Sequence, residues 1–260
     1  MRLIRIAAAS VNQTPLDWEG NRRRIEAVIL QAREANVGLL CLPELCVSGY
    51  GCEDMFFSTG VQQAAYESMR ALLPATEGIA VAVGLPLFYE SSLYNAAALL
   101  VDGELAGIVC KQFLATDGIH YESRWFRCWK SGLVDWRGDP TGDLLFDLGG
   151  VRVGFEICRD AWVADRTAPQ LAKRGADIIL NPSASHFAFG KNATRERIVI
   201  EGSRACCVSY VHSNALGNES GRSVYDGDTI IASGGRIIAS GPRLSFSDHV
   251  LTTAVVDVDA

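Results

Sequence analysis

The stretch VRVGFEICRDAWVADRTAPQLAKRGADIIL, residues 151–180, decides the fold. The largely apolar segment from Val151 to Ile157 has the length of a buried strand, and a second strand is predicted from Asp177 to Leu180. Between them, the segment from about Asp160 to Arg174 has the composition of a helix. Strand, helix and strand in this order are typical of α/β folds, so the stretch predicts a mixed α/β domain.

The same alternation extends along the rest of the chain. The other predicted strands are Leu3–Ala9, Val37–Leu42, Ile79–Phe88, Leu93–Val101, Leu105–Cys110, Val208–His212, Thr229–Ala232, Arg236–Ala239 and Val250–Val258, and the other predicted helices are Trp18–Asn36, a segment after Ser58, and Asn192–Cys206. The segment from Lys111 to about Gly142 is predicted to be irregular, and such long loops are usually functional. No linker or repeat separates these elements, so we expect residues 1–260 to form one domain.

The composition narrows the classes of function. The chain has 260 residues, of which 48% are hydrophobic and 21% charged, and its formal net charge is −6. This acidic balance argues against nucleic acid and membrane surfaces as partners. Uncharged runs such as residues 78–89 and 205–218 are shorter than the roughly 18 residues of a membrane span. We therefore expect a cytoplasmic protein that acts on a small molecule.

Eight cysteines are spread along the chain without a C-x-x-C pair or the spacing of a zinc finger. We therefore expect no metal site. In a cytoplasmic chain most cysteines are reduced and buried as packing residues, so the useful question is whether any of them lies among reactive neighbours.

Three chemically capable side chains each follow an apolar strand: Glu44 in CLPEL, Lys111 in GIVCKQF and Cys158 in VGFEICRDAW. If these strands are neighbours, a carboxylate, an ammonium and a thiol meet at one edge of a sheet, ready for nucleophilic attack on an acyl carbon. Taken singly, a glutamate or lysine at a strand end is more often a solvated charge, and a lone cysteine is more often a packing residue. Spacing alone leaves both interpretations open.

Three ordered motifs resemble those of the nitrilase, or carbon–nitrogen hydrolase, superfamily with its Glu-Lys-Cys triad. They are L-P-E-L-x-x-x-G-Y at 42–50, K-Q-x-L-x-x-x-G-x-x-x-E at 111–122 and I-C-x-D-x-W at 157–162. Residues 93–112, 176–185 and 225–243 resemble in particular the glutaminase domain of glutamine-dependent NAD synthetases. The resemblance covers the whole chain. It implies a four-layer α-β-β-α sandwich that forms a homodimer or a higher homo-oligomer.

The resemblance also implies the role of each catalytic residue. Glu44 is the general base, Lys111 the oxyanion stabiliser and Cys158 the nucleophile, while Glu122 positions the substrate and the lysine. Attack on a linear carboxamide would release ammonia and leave a thioester on Cys158, which water activated by Glu44 would hydrolyse. This chemistry needs no metal or organic cofactor.

Four further residues are candidates for substrate binding. By the same resemblance, Ser185 and Lys191 bind the substrate; the alternative is that Ser185 caps a turn and Lys191 is a surface charge. Two positions depart from the synthetase pattern: Asp117 stands where a tyrosine is usual, and Arg159 follows the cysteine where a glutamate is usual. We hypothesise that Asp117 and Arg159 pair, or jointly recognise a substrate other than free glutamine.

The similar synthetases carry a further ATP-using domain with an S-G-G-x-D-S loop for pyrophosphate. Here the Ser233-Gly234-Gly235 sequence lies between two strand-like runs, which predicts a hairpin turn, and the sequence stops at Ala260. We therefore expect a free-standing amidase, or a glutaminase that passes ammonia to a separate NAD synthetase. The alternative is a regulatory subunit that keeps the triad but is inactive without its synthetase partner.

Overall fold

The computed structural model describes residues 1–130, 132–219 and 222–259. The strands are β1 Leu3–Val11, β2 Leu39–Cys41, β3 Ala80–Tyr89, β4 Ser92–Val101, β5 Glu104–Cys110, β6 Leu133–Trp136, β7 Asp139–Gly142, β8 Phe146–Leu148, β9 Val151–Phe155, β10 Ile178–Ser183, β11 Ser209–Asn214, β12 Leu216–Glu219, β13 Ser223–Asp226, β14 Thr229–Ser233, β15 Arg236–Ser240 and β16 His249–Asp257. The α-helices are α1 Trp18–Glu34, α2 Thr59–Ala71, α3 Glu122–Trp125, α4 Ala168–Lys173 and α5 Lys191–Cys206.

Over these residues the strands form two large sheets. Eight strands make the first sheet in the order β16-β1-β2-β3-β4-β5-β7-β6, and six make the second in the order β15-β14-β11-β10-β9-β8. The strands β1, β2 and β3 run parallel to one another, as do β9, β10 and β11, and antiparallel hairpins extend both sheets. The mixed α/β class predicted from the sequence is confirmed.

The two sheets pack face to face because their strands are apolar on both sides. In β1, Ile6 and Ala8 lie in the core between the sheets, whereas Ala7 and Ala9 lie in the core beneath the helices. A strand has a side-chain period of two, so a continuous apolar run is buried on both faces only when each face is covered. Side chains of both sheets meet in the central core, among them Leu39, Leu99, Phe155, Ile178 and Val211.

The helices form the two outer layers of the sandwich. Helix α1 packs on the first sheet with Ile25, Val28 and Ile29, which recur at helical spacing and are fully buried. Asp17 begins this helix by accepting a hydrogen bond from the backbone N–H of Gly20 at 3.0 Å. Helices α4 and α5 cover the second sheet. The order of layers is therefore α-β-β-α, as predicted.

The helix predicted from Asp160 to Arg174 is wrong in its first half. The chain makes a short 3₁₀ turn over Cys158–Ala161, and the α-helix begins only at Ala168. The carboxylate of Asp160 turns back to accept the N–H of Ile157 at 3.1 Å, which favours a tight turn. Pro169 then occupies the first turn of α4, where its missing N–H costs no hydrogen bond.

The segment after Lys111 is more regular than predicted. It contains α3 and the hairpin of β6 and β7, in which β7 pairs with β5 and extends the first sheet. Arg137 and Gly138 both have positive φ, of 59° and 90°, as a two-residue hairpin turn of this hand requires. The predicted hairpin at Gly234 and Gly235 joins β14 to β15. No helix within the described ranges has the length and apolarity needed to cross a membrane.

Candidate active site

Loops from both sheets meet at one end of the sandwich. Glu44 follows β2 and Lys111 follows β5, two strands of the first sheet that are separated by β3 and β4. Cys158 follows β9 in the second sheet. The strands are therefore not neighbours in one sheet, so the condition considered in the sequence analysis is not met. The side chains approach one another across the two sheets.

Lys111, Glu44 and Glu122 form a buried ionic group that we name the Lys111 cluster. The Nζ atom of Lys111 lies 2.5 Å from Oε1 of Glu44 and 2.8 Å from each carboxylate oxygen of Glu122. All three side chains are inaccessible to solvent. Burial by itself lowers the pKa of Lys111, but Glu122 and Glu44 outweigh burial and hold the pKa well above its usual value. The two carboxylates therefore favour the ammonium form of the lysine.

The Glu44 carboxylate is fixed by donors on both oxygens. The side-chain amide of Asn95 donates to Oε1 at 2.7 Å, and the backbone N–H of Ala184 donates to Oε2 at 2.9 Å. Burial raises the pKa of Glu44, against the opposing effect of Lys111. A carboxylate held in place and with a raised pKa is suited to accept a proton.

Cys158 occupies a strained position at the end of β9. Its φ is +44°, in the left-handed region that residues other than glycine seldom adopt, and such strain is concentrated at functional sites. Burial raises the pKa of its thiol to about 12, and the negative charge of Glu44 adds to this, while Lys111 opposes it. The resting side chain is therefore a neutral thiol, which needs a base before it can attack.

Asp160 connects the loop after Lys111 to the turn that contains Cys158. Its carboxylate accepts the backbone N–H groups of Gln112 at 3.1 Å and Phe113 at 2.7 Å, and also that of Ile157. Burial raises the pKa of Asp160 to about 8, while Lys111 and the Phe113 N–H oppose the rise. This one side chain sets the distance between the two halves of the site.

An open pocket with a cavity volume of about 120 Å³ leads from the surface to Cys158. Its lining includes all four predicted substrate-binding residues, Asp117, Arg159, Ser185 and Lys191. A concave pocket with a few polar groups around it suits a small ligand. The Lys111 cluster is not part of the lining, so Cys158 is the member of the predicted triad that faces the pocket.

The predicted substrate-binding residues have distinct partners. Arg159 and Asp117 form an ion pair, with Nη1 and Oδ2 separated by 3.3 Å. Lys191 begins helix α5 and places Nζ 3.2 Å from Nδ1 of His186. Ser185 is buried, and its backbone N–H donates to the side chain of Asn214 at 2.7 Å. Each of the four contributes polar atoms around the pocket.

Sequence reasoning missed several residues that complete the site. The hydroxyl of Tyr50 donates to Oε1 of Glu122 at 2.7 Å, and Nδ1 of His120 lies 3.0 Å from the same hydroxyl. Tyr50 stands in the first family motif, which could have singled it out. Asn95 was detectable as a lone amide within the apolar strand β4. Among the described residues, no group of three or more His, Cys, Asp or Glu side chains is arranged to hold a metal ion.

Comparison with known proteins identifies the family. The carbon–nitrogen hydrolase family matches residues 5–259. This chain belongs to the carbon–nitrogen hydrolase family. The hydrolase is 32% identical over 273 residues to the glutamine-dependent NAD(+) synthetase of Saccharomyces cerevisiae, with 99% of this chain and 38% of the yeast protein aligned.

Solved structures agree with this assignment. A glutamine-dependent NAD(+) synthetase from Cytophaga hutchinsonii superposes with a TM-score of 0.92 at 43% identity, over 98% of this hydrolase and 43% of that chain. An amidase of the nitrilase superfamily from Nesterenkonia shares the fold, with a TM-score of 0.80 at 21% identity over 97% of this chain and 90% of the amidase. The hydrolase spans about two-fifths of the length of the synthetases that it matches.

Proposed function

We propose that this hydrolase is a thiol-dependent amidohydrolase that cleaves a linear carboxamide into an acid and ammonia. The observation that carries the proposal is the position of Cys158, which faces a pocket beside a buried lysine held between two carboxylates. A nucleophile, a base and a fixed cation in this arrangement are the equipment of acyl transfer.

In the first half of the reaction, Glu44 accepts the thiol proton of Cys158 and the sulfur bonds to the carbonyl carbon. The electron pair of the C=O bond moves onto oxygen, where the ammonium of Lys111 stabilises the charge. When that pair returns, the C–N bond breaks and Glu44 gives its proton to the departing nitrogen. Ammonia leaves, and a thioester remains on Cys158.

In the second half, water replaces ammonia. Glu44 takes a proton from the water as its oxygen bonds to the thioester carbon, and Lys111 again stabilises the oxyanion. The C–S bond then breaks, Glu44 returns the proton to sulfur, and the acid is released. Glu122 serves throughout by holding Lys111 with both of its oxygens.

The pocket lining favours an amide that carries charged groups. Arg159 and Lys191 supply cations and Asp117 an anion around the cavity, and Ser185 supplies a hydroxyl. The relatives named as glutamine-dependent make glutamine the first amide to test. An Arg159→Glu variant separates the alternatives: improved glutamine turnover in this variant supports a natural substrate other than glutamine, and a loss supports glutamine itself.

The direct test measures ammonia released from a panel of amides that includes glutamine and short aliphatic amides. Cys158→Ala should lower turnover at least about 10⁴-fold, because the covalent step is lost. Cys128→Ala, at an exposed cysteine, is the matched control and should retain wild-type turnover. Mass spectrometry of a quenched reaction should find the acyl group on Cys158; an acyl group on a different cysteine contradicts the assignment.

A second candidate follows from the share of the synthetases that this chain covers. Because 38% of the yeast protein is aligned, the hydrolase corresponds to one portion of such enzymes. In this second proposal it supplies ammonia to a separate NAD synthetase, or regulates that enzyme, as a homo-oligomer or a mixed assembly. Glutamine turnover that appears only after an ammonia-dependent NAD synthetase is added supports this candidate, and full turnover by the chain alone supports the first.

A further inference from the structure

A chain of hydrogen bonds connects the rim of the pocket with the Lys111 cluster. Lys191 Nζ lies 3.2 Å and 3.5 Å from the two ring nitrogens of His186. His186 Nδ1 lies 3.0 Å from His120 Nε2, and His120 Nδ1 lies 3.0 Å from the hydroxyl of Tyr50. The Tyr50 hydroxyl ends the chain by donating to Glu122 at 2.7 Å. The proposed reaction uses neither histidine.

Counting the available protons gives this series of hydrogen bonds a single donor-to-acceptor direction. Tyr50 has a single hydroxyl proton, which the carboxylate of Glu122 accepts. The oxygen of Tyr50 must then accept a proton from Nδ1 of His120, which leaves Nε2 of His120 as an acceptor. Nδ1 of His186 donates to that acceptor, so the nitrogen of His186 that can accept from Lys191 is Nε2, at 3.5 Å, although Nζ lies closer to Nδ1, at 3.2 Å. Each hydrogen bond therefore points from the pocket towards Glu122.

Both histidines are uncharged near neutral pH, as this direction requires. Burial lowers the pKa of His120 to about 4, with His186, Lys191 and Lys111 adding to the decrease and Glu122 opposing it. Burial also lowers the pKa of His186; Lys191 and Arg195 add to this, and Asp117 and Asp226 oppose it. Neither ring competes with Lys111 for the negative charge of Glu122.

The tautomer of His120 decides where the Tyr50 proton goes. If the Nδ1 atom of His120 presented a lone pair, the Tyr50 hydroxyl would be divided between His120 and Glu122. His186 prevents this by occupying Nε2 of His120 with an N–H, so that the ring proton stays on Nδ1. The Tyr50 hydroxyl then donates only to Glu122, whose two carboxylate oxygens both accept from Lys111.

We propose that His120 and His186 are positioning residues, which fix the Tyr50 hydroxyl on Glu122 and thereby hold the ammonium of Lys111 where the oxyanion develops. This inference rests on the proposed amide hydrolysis. Both histidines line the pocket, but neither takes part in the proposed bond changes, so a positioning role predicts a lower kcat with little change in KM.

Three substitutions at His120 separate the two contacts of its ring. His120→Asn places an amide N–H near the former Nδ1 and keeps the donor to Tyr50. His120→Gln reaches towards the former Nε2 and loses the donor to Tyr50. His120→Phe keeps an aromatic ring but loses both hydrogen bonds, to Tyr50 and to His186. We expect about a tenfold lower kcat for the Phe and Gln variants, with KM within about threefold of wild type, and near-wild-type kcat for the Asn variant. Thermal unfolding measured in parallel reports on folding.

A second readout separates this inference from the proposed function. The rate at which iodoacetamide alkylates Cys158 reports on activation of the thiol and needs no substrate. If wild type hydrolyses none of the amides but the alkylation rates follow the same order, the proposed function fails and the positioning role stands. Wild-type kcat and alkylation rate in His120→Phe overturn the role. An equal loss of kcat in all three variants, together with lowered unfolding temperatures, also overturns the role, because it marks a structural contribution of His120.

Discussion

Two buried ionic groups lie near the same pocket, and in each of them a buried cation contacts two carboxylates. One is the Lys111 cluster, and the other, which we name the Arg195 cluster, joins helix α5 to the end of β13 and to the loop that follows it. In the latter, Nη2 of Arg195 lies 2.7 Å from Asp226 and Nη1 lies 3.1 Å from Asp228, and the partly exposed Arg243 also pairs with Asp226 at 2.7 Å. Both cations are inaccessible to solvent, so burial and charge pairing alone do not distinguish a reactive site from a structural one.

The difference lies in what else each cation contacts. The guanidinium of Arg195 also donates to the backbone oxygens of Ser185 at 3.3 Å and His186 at 3.2 Å, so its planar fork holds a loop in place. Lys111 is a compact charge beside Cys158, whose thiol faces the pocket. The nucleophile next to Lys111 therefore distinguishes the candidate active site, whereas the Arg195 cluster supports the wall of the same pocket.

Removing each cation by the same substitution should separate the two clusters by their effects on kcat. Lys111→Met should lower kcat at least about 10³-fold, since the oxyanion loses its stabilising charge, while stability falls by about 3–5 kcal/mol because two buried carboxylates lose their partner. Arg195→Met should cost a smaller free energy of unfolding, because Arg243 still pairs with Asp226, and kcat of its folded fraction should fall no more than about tenfold. Denaturant unfolding and ammonia release measure both effects. Equal losses of kcat would contradict the distinction.

The parts of the site that could be predicted are those written locally in the sequence. Glu44, Lys111 and Cys158 each follow an apolar strand, and their motifs resemble those of a known superfamily. The four-layer fold followed from that resemblance and is confirmed. The roles of the individual residues stay predictions, although the contacts of Lys111 with Glu44 and Glu122 are those that the roles require.

The parts that could not be predicted depend on contacts between distant segments. The donors to Glu44 come from Asn95, 51 residues away, and from Ala184, 140 residues away, and neither spacing follows a local rule. The helix expected from Asp160 fails because its side chain is recruited by backbone groups, two of which lie in another loop. Tertiary demand overrides local propensity at these positions.

A smaller perturbation tests how rigidly each cluster is held, and two glycines offer the contrast. A Cβ at Gly84 would lie 2.2 Å from the backbone nitrogen of Leu45 and 2.9 Å from the carbonyl carbon of Glu44, so Gly84→Ala must push the Glu44 loop away. We expect about a 100-fold lower kcat and about 3 kcal/mol lower stability.

The matched glycine lies in the loop of the Arg195 cluster. Gly227 has a φ of +72°, and a Cβ there would meet only side-chain atoms, at 3.3 Å or more. Gly227→Ala should therefore cost about 1–2 kcal/mol from backbone strain and leave kcat of the folded protein within about threefold. The comparison weakens if kcat of Gly84→Ala equals that of wild type, or if kcat of Gly227→Ala falls as far as that of Gly84→Ala.

The smallest expected effect concerns stability alone and measures the electrostatic environment of the Arg195 cluster. His212 is fully buried in β11 and its Nδ1 lies 2.7 Å from Oδ1 of Asn181. Burial lowers its pKa to about 3, Arg195 adds to the decrease and Asp226 opposes it. Below the ordinary pKa of 6.5, the unfolded chain binds a proton that the folded protein rejects, so the contribution is present above that pH and is lost as the pH falls.

Between pH 7 and pH 5 this single group should remove about 2 kcal/mol from the free energy of unfolding. His212→Asn keeps a donor near the position of Nδ1 but does not titrate, so the loss of stability between the two pH values should be about 2 kcal/mol smaller in this variant than in wild type. His249→Asn, at a partly exposed histidine, should retain the wild-type difference. Urea unfolding at both pH values measures the three proteins. An identical loss in His212→Asn and wild type would show that His212 accepts a proton in the folded state, which the positive charge of Arg195 and the burial of the ring both oppose.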